Sequence, residues 1–153
     1  KEDQMIGFIA RCNSCGSQLS QTLFKLTDWG KCSCNNNSGK LLINGPIWLG
    51  KLQSKSVLES ILQSIYKLDL SVHKKTINLI SKLIIDDGSP LFCWSSAEIA
   101  KRLSLSNVPS IRLLVQTIED EGFEAKPCAF MHGQIRSNAT IEELLRISNK
   151  KFQ

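Results

Sequence analysis

The chain has 153 residues, of which 42% are hydrophobic and 22% are charged, as is ordinary for a soluble globular domain. Its 19 basic and 14 acidic residues give a net charge of +5, a weaker basicity than that of dedicated nucleic-acid binders. No apolar run approaches the ~20 residues that cross a bilayer, and no signal peptide opens the sequence, so an intracellular protein without a membrane partner is expected. Because the sequence begins with lysine rather than an initiator methionine, we expect it to be either processed or, as we favour, cut from a longer polypeptide.

Four of the six cysteines form two close pairs near the N-terminus: Cys12, Cys15, Cys32 and Cys34. Four cysteine thiolates on two short turns are a typical structural zinc site, and Gly16 suits a turn that needs positive φ. The C-x-C spacing of the second pair is tighter than the usual C-x-x-C, so disulfides or a metal-free ribbon stay open as alternatives. The other two cysteines, Cys93 and Cys128, are expected to be small core residues.

The residues around these pairs predict a small β element. Residues 17–31 alternate enough to form a strand hairpin, and residues 35–37 with Gly39 make a polar, turn-rich exit. Residues 39–50 are predicted to be a strand that ends in a turn at "GPIWLG". We expect Trp48 to pack across the ribbon while Pro46 and the glycines fix the angle at which the chain leaves it.

Two amphipathic helices are predicted next, over residues 54–68 and 72–86. Ser56 and Glu59 have the spacing of a capping box for the first helix, and Gly88 with Pro90 ends the second. The apolar stripes expected to face inward are Val57, Leu58, Ile61, Leu62, Ile65 and Leu68 on the first helix, and Ile77, Ile80, Leu83 and Ile84 on the second.

The remaining sequence predicts a helix, a tight turn, a second helix, a hairpin and a closing helix. Capping boxes are expected at Ser95–Glu98 and Thr140–Glu143, and Pro109 is expected at the first position of the second helix. The β-like runs are residues 123–130 and 133–139. The residues expected to face inward on the first two of these helices are Ile99, Ala100, Leu103, Ile111, Leu114, Val115 and Ile118.

This order of elements is the outline of a winged helix. We therefore predict an α+β fold in which a zinc-ribbon-like segment and hinge (1–50) pack on a helical hairpin (51–90) and a winged-helix-like module (91–153). Together they are predicted to form one accessory domain.

Positive charge is concentrated in the first half of the sequence. Residues 25–82 contain nine lysines and three acidic residues, a distribution that favours contact with phosphates. The second helix of the winged-helix-like module carries Arg112 but also Glu119, Asp120 and Glu121. Reading of a DNA major groove by this helix is therefore not expected.

Several short motifs follow one another in a recognisable order: Gly45-Pro46-Ile47-Trp48, Pro90-Leu91-Phe92-Cys93, Pro109-Ser110, Gly122-Phe123 and Ile135-Arg136-Ser137-Asn138-Ala139. In this order they resemble the C-terminal domain of the tRNA (guanine-26-N2)-dimethyltransferase family over residues 10–148. The chain departs from the family in its hairpin, where Lys126 and Ala129 replace a serine and a histidine, and at Arg136-Ser137, which replaces Lys-Thr.

The resemblance implies a module that holds tRNA while a separate domain methylates guanosine with S-adenosylmethionine. No glycine-rich cofactor loop follows a strand here, and the family's Asp-Pro-Phe/Tyr-Gly stretch is missing. This chain alone is therefore not expected to be an enzyme, and no catalytic residue is assigned to it. Neither histidine, His73 or His132, has an evident catalytic partner in the sequence.

Charge and resemblance together indicate six residues as candidates for contact with tRNA: Lys51, Lys55, Lys74, Lys75, Lys126 and Arg136. A second interpretation is a degenerate family domain reused as a structural or protein-interaction module in a larger assembly. A free DNA-binding regulator is a third interpretation, which the acidic second helix disfavours.

Overall fold

The computed structural model describes residues 5–32, 34, 39–67 and 73–153, and the side chain of His73 is not among the described parts. The turn-rich exit predicted at 35–37, the predicted helix start at residue 72, and Leu68 of the first apolar stripe lie outside these residues. Within them the chain forms six strands and five α-helices: β1 (Ile6–Cys12), β2 (Gln18–Thr22), β3 (Leu41–Trp48), α1 (Lys55–Tyr66), α2 (His73–Asp86), β4 (Cys93–Ser95), α3 (Ser96–Arg102), α4 (Ile111–Asp120), β5 (Ala125–Pro127), β6 (Gln134–Ser137) and α5 (Ile141–Phe152). The fold is therefore α+β, as predicted.

The N-terminal sheet, which we call the ribbon, has the antiparallel strand order β2-β1-β3. The hairpin predicted within residues 17–31 is wrong, because only Gln18–Thr22 is a strand and it pairs with β1 across the first cysteine turn. A 3-10 turn at Leu23–Lys25 follows it. The sequence does not reveal β1, because its residues do not alternate between polar and apolar.

The third strand continues through the motif that is predicted to end it. Its register with β1 shifts between Gly7 and Ile9. Trp48 lies opposite Ile6, and its indole N–H donates to the carbonyl of Lys51 at 3.0 Å. The tryptophan therefore packs on the turn that follows it rather than across the ribbon.

Helices α1 and α2 pack on each other but bury little. Ile80 is buried and the other predicted inward residues of α2 are partly buried. On α1 only Leu58 is buried, while Val57 and Ile61 are exposed. The predicted capping box is also wrong, because α1 begins after Ser54 and the carboxylate of Glu59 lies near Lys55 instead.

The last third of the chain holds the main core. The second sheet of the molecule lies here, with the antiparallel strand order β4-β6-β5. Helices α3, α4 and α5 share one hydrophobic core with it. The fully or nearly buried residues are Trp94, Ile99, Leu114, Ile118, Ala125, Ile135, Ala139, Ile141, Leu144 and Ile147. The helical periodicity of the sequence indicates the members of this core on α3 and α4.

Local hydrogen bonds set where these helices begin. The capping box at Thr140 and Glu143 is present in full. Ser95 caps α3 by accepting from the backbone N–H of Glu98, but the Glu98 side chain contacts arginines instead of completing the box. Helix α4 begins at Ile111 with Ser110 as its cap, so Pro109 precedes the helix rather than opening it. No helix in the described part of the chain is long and apolar enough to span a membrane.

Candidate metal centre and basic surface

The four N-terminal cysteines converge at one end of the ribbon. Their sulfur atoms all lie within 4.8 Å of one another. The Sγ of Cys12 is 4.0 Å from that of Cys34, and the Sγ of Cys15 is 3.4 Å from that of Cys32. Tetrahedral zinc with Zn–S bonds of about 2.3 Å needs sulfurs about 3.8 Å apart, so the predicted ligand set is brought together.

The first pair lies on a turn that the backbone itself closes. The N–H of Gly16 donates to the carbonyl of Cys12 at 3.0 Å, and the N–H of Cys12 donates to the carbonyl of Ser17 at 2.9 Å. Gly16 has φ +74°, which suits glycine. These bonds place Cys12 and Cys15 on the same side of the turn.

Backbone amides and burial shift the pKa values of the cluster thiols in opposite directions. Backbone N–H groups, that of Cys15 first, lower the pKa of the Cys12 thiol, which favours its thiolate form. Burial raises the pKa of the Cys15 thiol, and a bound cation would favour its ionisation by replacing the proton. Four thiols at this spacing, without carboxylates, suit a soft, tetrahedral ion.

The second pair is positioned with the help of Gly39. A Cβ added at this residue would collide with the Sγ of Cys12 and would lie 3.0 Å from the Sγ of Cys34. We therefore expect Gly39→Ala to push the sulfurs apart and to weaken metal affinity by at least about tenfold, as small distortions of a ligand set do. Competition with a chromophoric chelator measures this.

The control for that prediction is Gly88→Ala, which strains a loop backbone at φ +69° but places no Cβ within 4 Å of a sulfur, so metal affinity should not change. Equal metal affinity of the Gly39→Ala protein and the unmodified protein would contradict the proposed packing around the sulfurs.

The other two cysteines are separate from this cluster. Cys93 and Cys128 are partly buried at the second sheet rather than fully in the core. Burial raises the pKa of the Cys93 thiol to about 11, so it is mostly protonated and a poor nucleophile at neutral pH.

The six predicted RNA-contacting residues are spread over three parts of the molecule. Lys51 and Lys55 flank the start of α1, Lys74 and Lys75 lie in the first turn of α2, and Lys126 and Arg136 are paired on β5 and β6. All five lysines are exposed. Lys51 and Arg136 line one cleft of about 360 Å³, and Lys55 is 3.9 Å from Glu59.

Arg136 differs from the lysines because its guanidinium forms an ion pair with a buried carboxylate of the fold. Its Nε lies 3.0 Å from Oδ1 of Asp86, and its Nη1 donates to the carbonyl of Pro90 at 3.1 Å. The side chains of Arg136 and Asp86 are only 18% and 5% exposed. Contact between Arg136 and RNA stays a prediction. The contacts that the structure shows for this residue are its ion pair with Asp86 and its hydrogen bond to the carbonyl of Pro90.

The sequence does not indicate that Asp86 and Gln53 belong to this site. Gln53 donates to Oδ2 of Asp86 at 3.4 Å, so the segment before α1, the end of α2 and strand β6 meet at one carboxylate. In the sequence, Asp86 is only part of a helix-ending run. Its partner is 50 positions away, and no local signal connects them.

The acidic end of α4 is partly neutralised within the fold. Glu121 lies 2.8 Å from the Nζ of Lys150 and 3.4 Å from Nη1 of Arg146, and Lys150 holds the pKa of the Glu121 carboxyl below its usual value. His132 is exposed in the loop between β5 and β6, and no hydrogen bond or ion pair within the described residues provides it with a catalytic partner.

Comparison with known proteins gives one consistent result. The sequence model of the family described as N2,N2-dimethylguanosine tRNA methyltransferase matches residues 1–149. Two curated relatives, the tRNA (guanine(26)-N(2))-dimethyltransferases of Methanosphaera stadtmanae and Methanobrevibacter smithii, are 24% and 25% identical over 93% of the chain. The chain spans only 36% of the length of each.

The fold has a counterpart among solved structures. Trm1 from Pyrococcus horikoshii, solved with S-adenosyl-L-methionine, superposes with a TM-score of 0.68 at 18% identity. The match covers 95% of this chain and 35% of that one. This likeness concerns the fold alone.

Proposed function

The chain belongs to the N2,N2-dimethylguanosine tRNA methyltransferase family, and from that premise we propose that it is a tRNA-binding accessory domain. In this proposal it positions tRNA for a methyltransferase domain that binds S-adenosylmethionine and is not part of these 153 residues. The observation that carries the proposal is the family match over residues 1–149. The S-adenosylmethionine-bound domain would supply the methyl group, and the residues of this chain would only bind and orient RNA.

Two finer assignments belong to the same proposal. The four-cysteine cluster holds a structural zinc ion, supported by its sulfur spacing and its all-thiol donor set. Residues 91–153 form a winged-helix-like module with the β5–β6 hairpin as its wing, supported by the sheet order β4-β6-β5 and the helices α3 and α4.

The exposed lysines are the groups that would meet the tRNA backbone. Lys51, Lys74, Lys75 and Lys126 have no ion pair among the described residues, so binding a phosphate breaks no internal pair. Such contacts position the RNA without reading its sequence. Each releases counterions and makes binding weaker as salt rises.

We expect the double variant Lys74→Glu/Lys126→Glu to bind tRNA at least about tenfold more weakly at about 100 mM salt, with a shallower salt dependence. Gel-shift titrations over a range of salt concentrations measure both quantities. Lys101→Glu/Lys151→Glu is the matched control, because it makes the same change in net charge at exposed lysines outside the proposed surface. Equal affinity of the two double variants would remove Lys74 and Lys126 from the interface.

A second candidate function is that of a structural or protein-interaction module that no longer holds tRNA. The internal use of Arg136, the most buried of the six predicted contacts, is the observation that favours it. Affinity capture of the chain with and without nuclease treatment separates the two functions. Partners that persist after nuclease treatment, together with no measurable tRNA affinity, would support the second one.

A further inference from the structure

A groove beside the cysteine cluster lies apart from the six predicted RNA-contacting residues, none of which lines it. The groove has a volume of about 470 Å³ and lies between the loop that precedes Cys32 and the start of strand β3. We call it the Trp29 groove. Its lining residues are Asp28, Trp29, Gly30, Lys31, Gly39, Lys40, Leu41 and Ile43.

Hydrogen bonds hold the loop that carries Trp29. The backbone N–H of Thr27 donates to Oε1 of Gln21 on β2 at 2.8 Å, and the N–H of Gly30 donates to Oδ1 of Asp28 at 3.3 Å. Gly30 has φ +60° and open space where a Cβ would be added, so no side chain fills the space beside this turn. Trp29 is therefore a half-buried aromatic residue on an anchored loop, and it lines one side of the groove.

Strand β3 supplies an apolar surface to the same groove. Leu41 and Ile43 are two positions apart on this strand, so their side chains lie on the same face of it. Ile43 is 49% exposed. An indole together with aliphatic side chains suits a flat ligand with an apolar face, such as a nucleobase.

Two lysines add positive charge to the groove. Lys31 and Lys40 are exposed, and neither has an ion pair among the described residues. Asp28 also lines the groove, but its carboxylate already accepts the N–H of Gly30. The two cations are therefore available to an anionic ligand such as a phosphate.

Both lysines are tied to the cysteine cluster through the chain. Lys31 directly precedes Cys32, and Lys40 directly follows Gly39, where an added Cβ would meet the cysteine sulfurs. An ion bound by the four cysteines would therefore hold the two lysines at a fixed separation.

These groups together match single-stranded nucleic acid. A positively charged groove that contains an aromatic side chain binds a single strand by stacking bases on the ring and pairing phosphates with the cations. A base inside a double helix is stacked between its neighbours, so its face is not available to an indole. An acidic peptide would pair with the lysines but would have no flat ring to place against Trp29.

We propose that the Trp29 groove binds an unpaired nucleotide of an RNA strand, with the base stacked on Trp29 and the neighbouring phosphates on Lys31 and Lys40. This inference rests on the proposed function and adds to it a contact that requires an unpaired base. The other exposed lysines contact phosphates of paired and unpaired strands alike. Because stacking tolerates every base, the groove selects single-stranded RNA rather than a base sequence.

Tryptophan fluorescence tests the stacking. The probe is a single-stranded oligoadenylate of about six nucleotides, a length within the range of known single-strand sites, added to the full zinc-loaded 153-residue chain. Binding should quench the fluorescence of the unmodified chain. Trp29→Phe should abolish the quenching and keep most of the affinity, which the anisotropy of a labelled probe measures, because phenylalanine still stacks.

Removal of the ring should weaken binding. We expect Trp29→Ala to bind the oligoadenylate at least about fivefold more weakly, since one stacked base is lost. Phe24→Ala is the matched control, because it removes a 70% exposed aromatic side chain that does not line the groove, and it should change neither affinity nor quenching. Circular dichroism and metal content establish that each variant is folded, and Trp29→Leu, which keeps an apolar side chain, replaces Trp29→Ala if that one is not.

Salt dependence tests the lysines. Lys31→Gln/Lys40→Gln should flatten the plot of log affinity against log salt concentration by about 1.4, because each phosphate contact on a single strand contributes about 0.7. Lys101→Gln/Lys151→Gln removes two exposed lysines outside the groove and should leave the slope unchanged.

Several results would overturn the proposal. Equal affinity of the Trp29→Ala and Phe24→Ala proteins is one, and quenching that persists in the Trp29→Phe protein is another. So is equal quenching by an RNA duplex or by a glutamate peptide of the same length. Adenosine monophosphate that binds as tightly as the oligoadenylate would make the groove a site for a free nucleotide instead.

The same samples separate this inference from the proposed function. Oligoadenylate bound in the groove by a chain with no affinity for tRNA would overturn the proposed function and leave this inference standing. Binding of tRNA without any binding of oligoadenylate would overturn this inference and leave the proposed function standing.

Discussion

Replacing Cys32 with alanine is expected to remove the bound metal and to unfold the ribbon. The ribbon has few buried apolar residues, of which Ala10 and Cys12 are the clearest, so hydrophobic burial stabilises it little. Structural zinc contributes about 10–16 kcal/mol of apparent binding free energy in small zinc domains at neutral pH, which is comparable to the total stability of a whole domain. Elemental analysis should give one zinc per unmodified chain and none for the variant, and hydrogen exchange should show loss of amide protection in β1 to β3.

Cys128→Ala is the control, because it removes a partly buried cysteine outside the cluster. It should keep both the metal and the protection of the ribbon. Metal retention should also fall as pH decreases, because protons compete with the metal for the thiolates. A Cys32→Ala protein that still holds one zinc would contradict the ligand assignment.

The alternatives to zinc give different outcomes in the same experiment. If the four cysteines were oxidised to disulfides, only Cys93 and Cys128 would react with a thiol reagent in denaturant. If the ribbon were metal-free, the unmodified chain would contain no metal and chelators would not change its hydrogen exchange. The sulfur spacing favours zinc over both.

Features set by neighbouring residues are the ones that the sequence predicts well. The cysteine cluster consists of two pairs with short spacings, the capping box at Thr140 follows from a four-residue pattern, and the core positions on α4 follow from helical periodicity. Within each pair, box or helix the deciding residues are close in the sequence, whereas the two cysteine pairs meet across 22 positions.

Features that depend on distant partners are missed. Strand β1 has no alternating pattern, and its two neighbours are chosen by tertiary pairing. The apolar stripe on α1 predicts that its residues are buried. A helix buries only the side chains that another element covers, so Val57 is left 57% exposed. Positive charge makes Arg136 on strand β6 resemble a phosphate ligand, although its counterion, Asp86, lies at the end of helix α2.

Removal of that counterion is the second change with a large expected effect. Asp86→Ala leaves the guanidinium of Arg136 mostly buried without its carboxylate, and it takes away the acceptor of Gln53. Breaking a buried pair on one side costs roughly 3–5 kcal/mol, and we expect about 3 kcal/mol here because 18% of the arginine side chain is exposed. Urea unfolding followed by circular dichroism measures the free energy of unfolding.

Asp87→Ala is the matched control, since Asp87 has no ion pair among the described residues and its loss should change stability by less than about 0.5 kcal/mol. A further variant, Asp86→Ala/Arg136→Met, removes both charges and should recover most of the lost stability, because an apolar replacement of a buried pair is often neutral.

The same double variant also separates the two possible roles of Arg136. Undiminished tRNA binding would show that the arginine only holds β6 against α2, whereas weaker binding in a protein of normal stability would show that it contacts RNA as well. Equal stability of the Asp86→Ala and Asp87→Ala proteins would mean that the pair does not hold the two elements together.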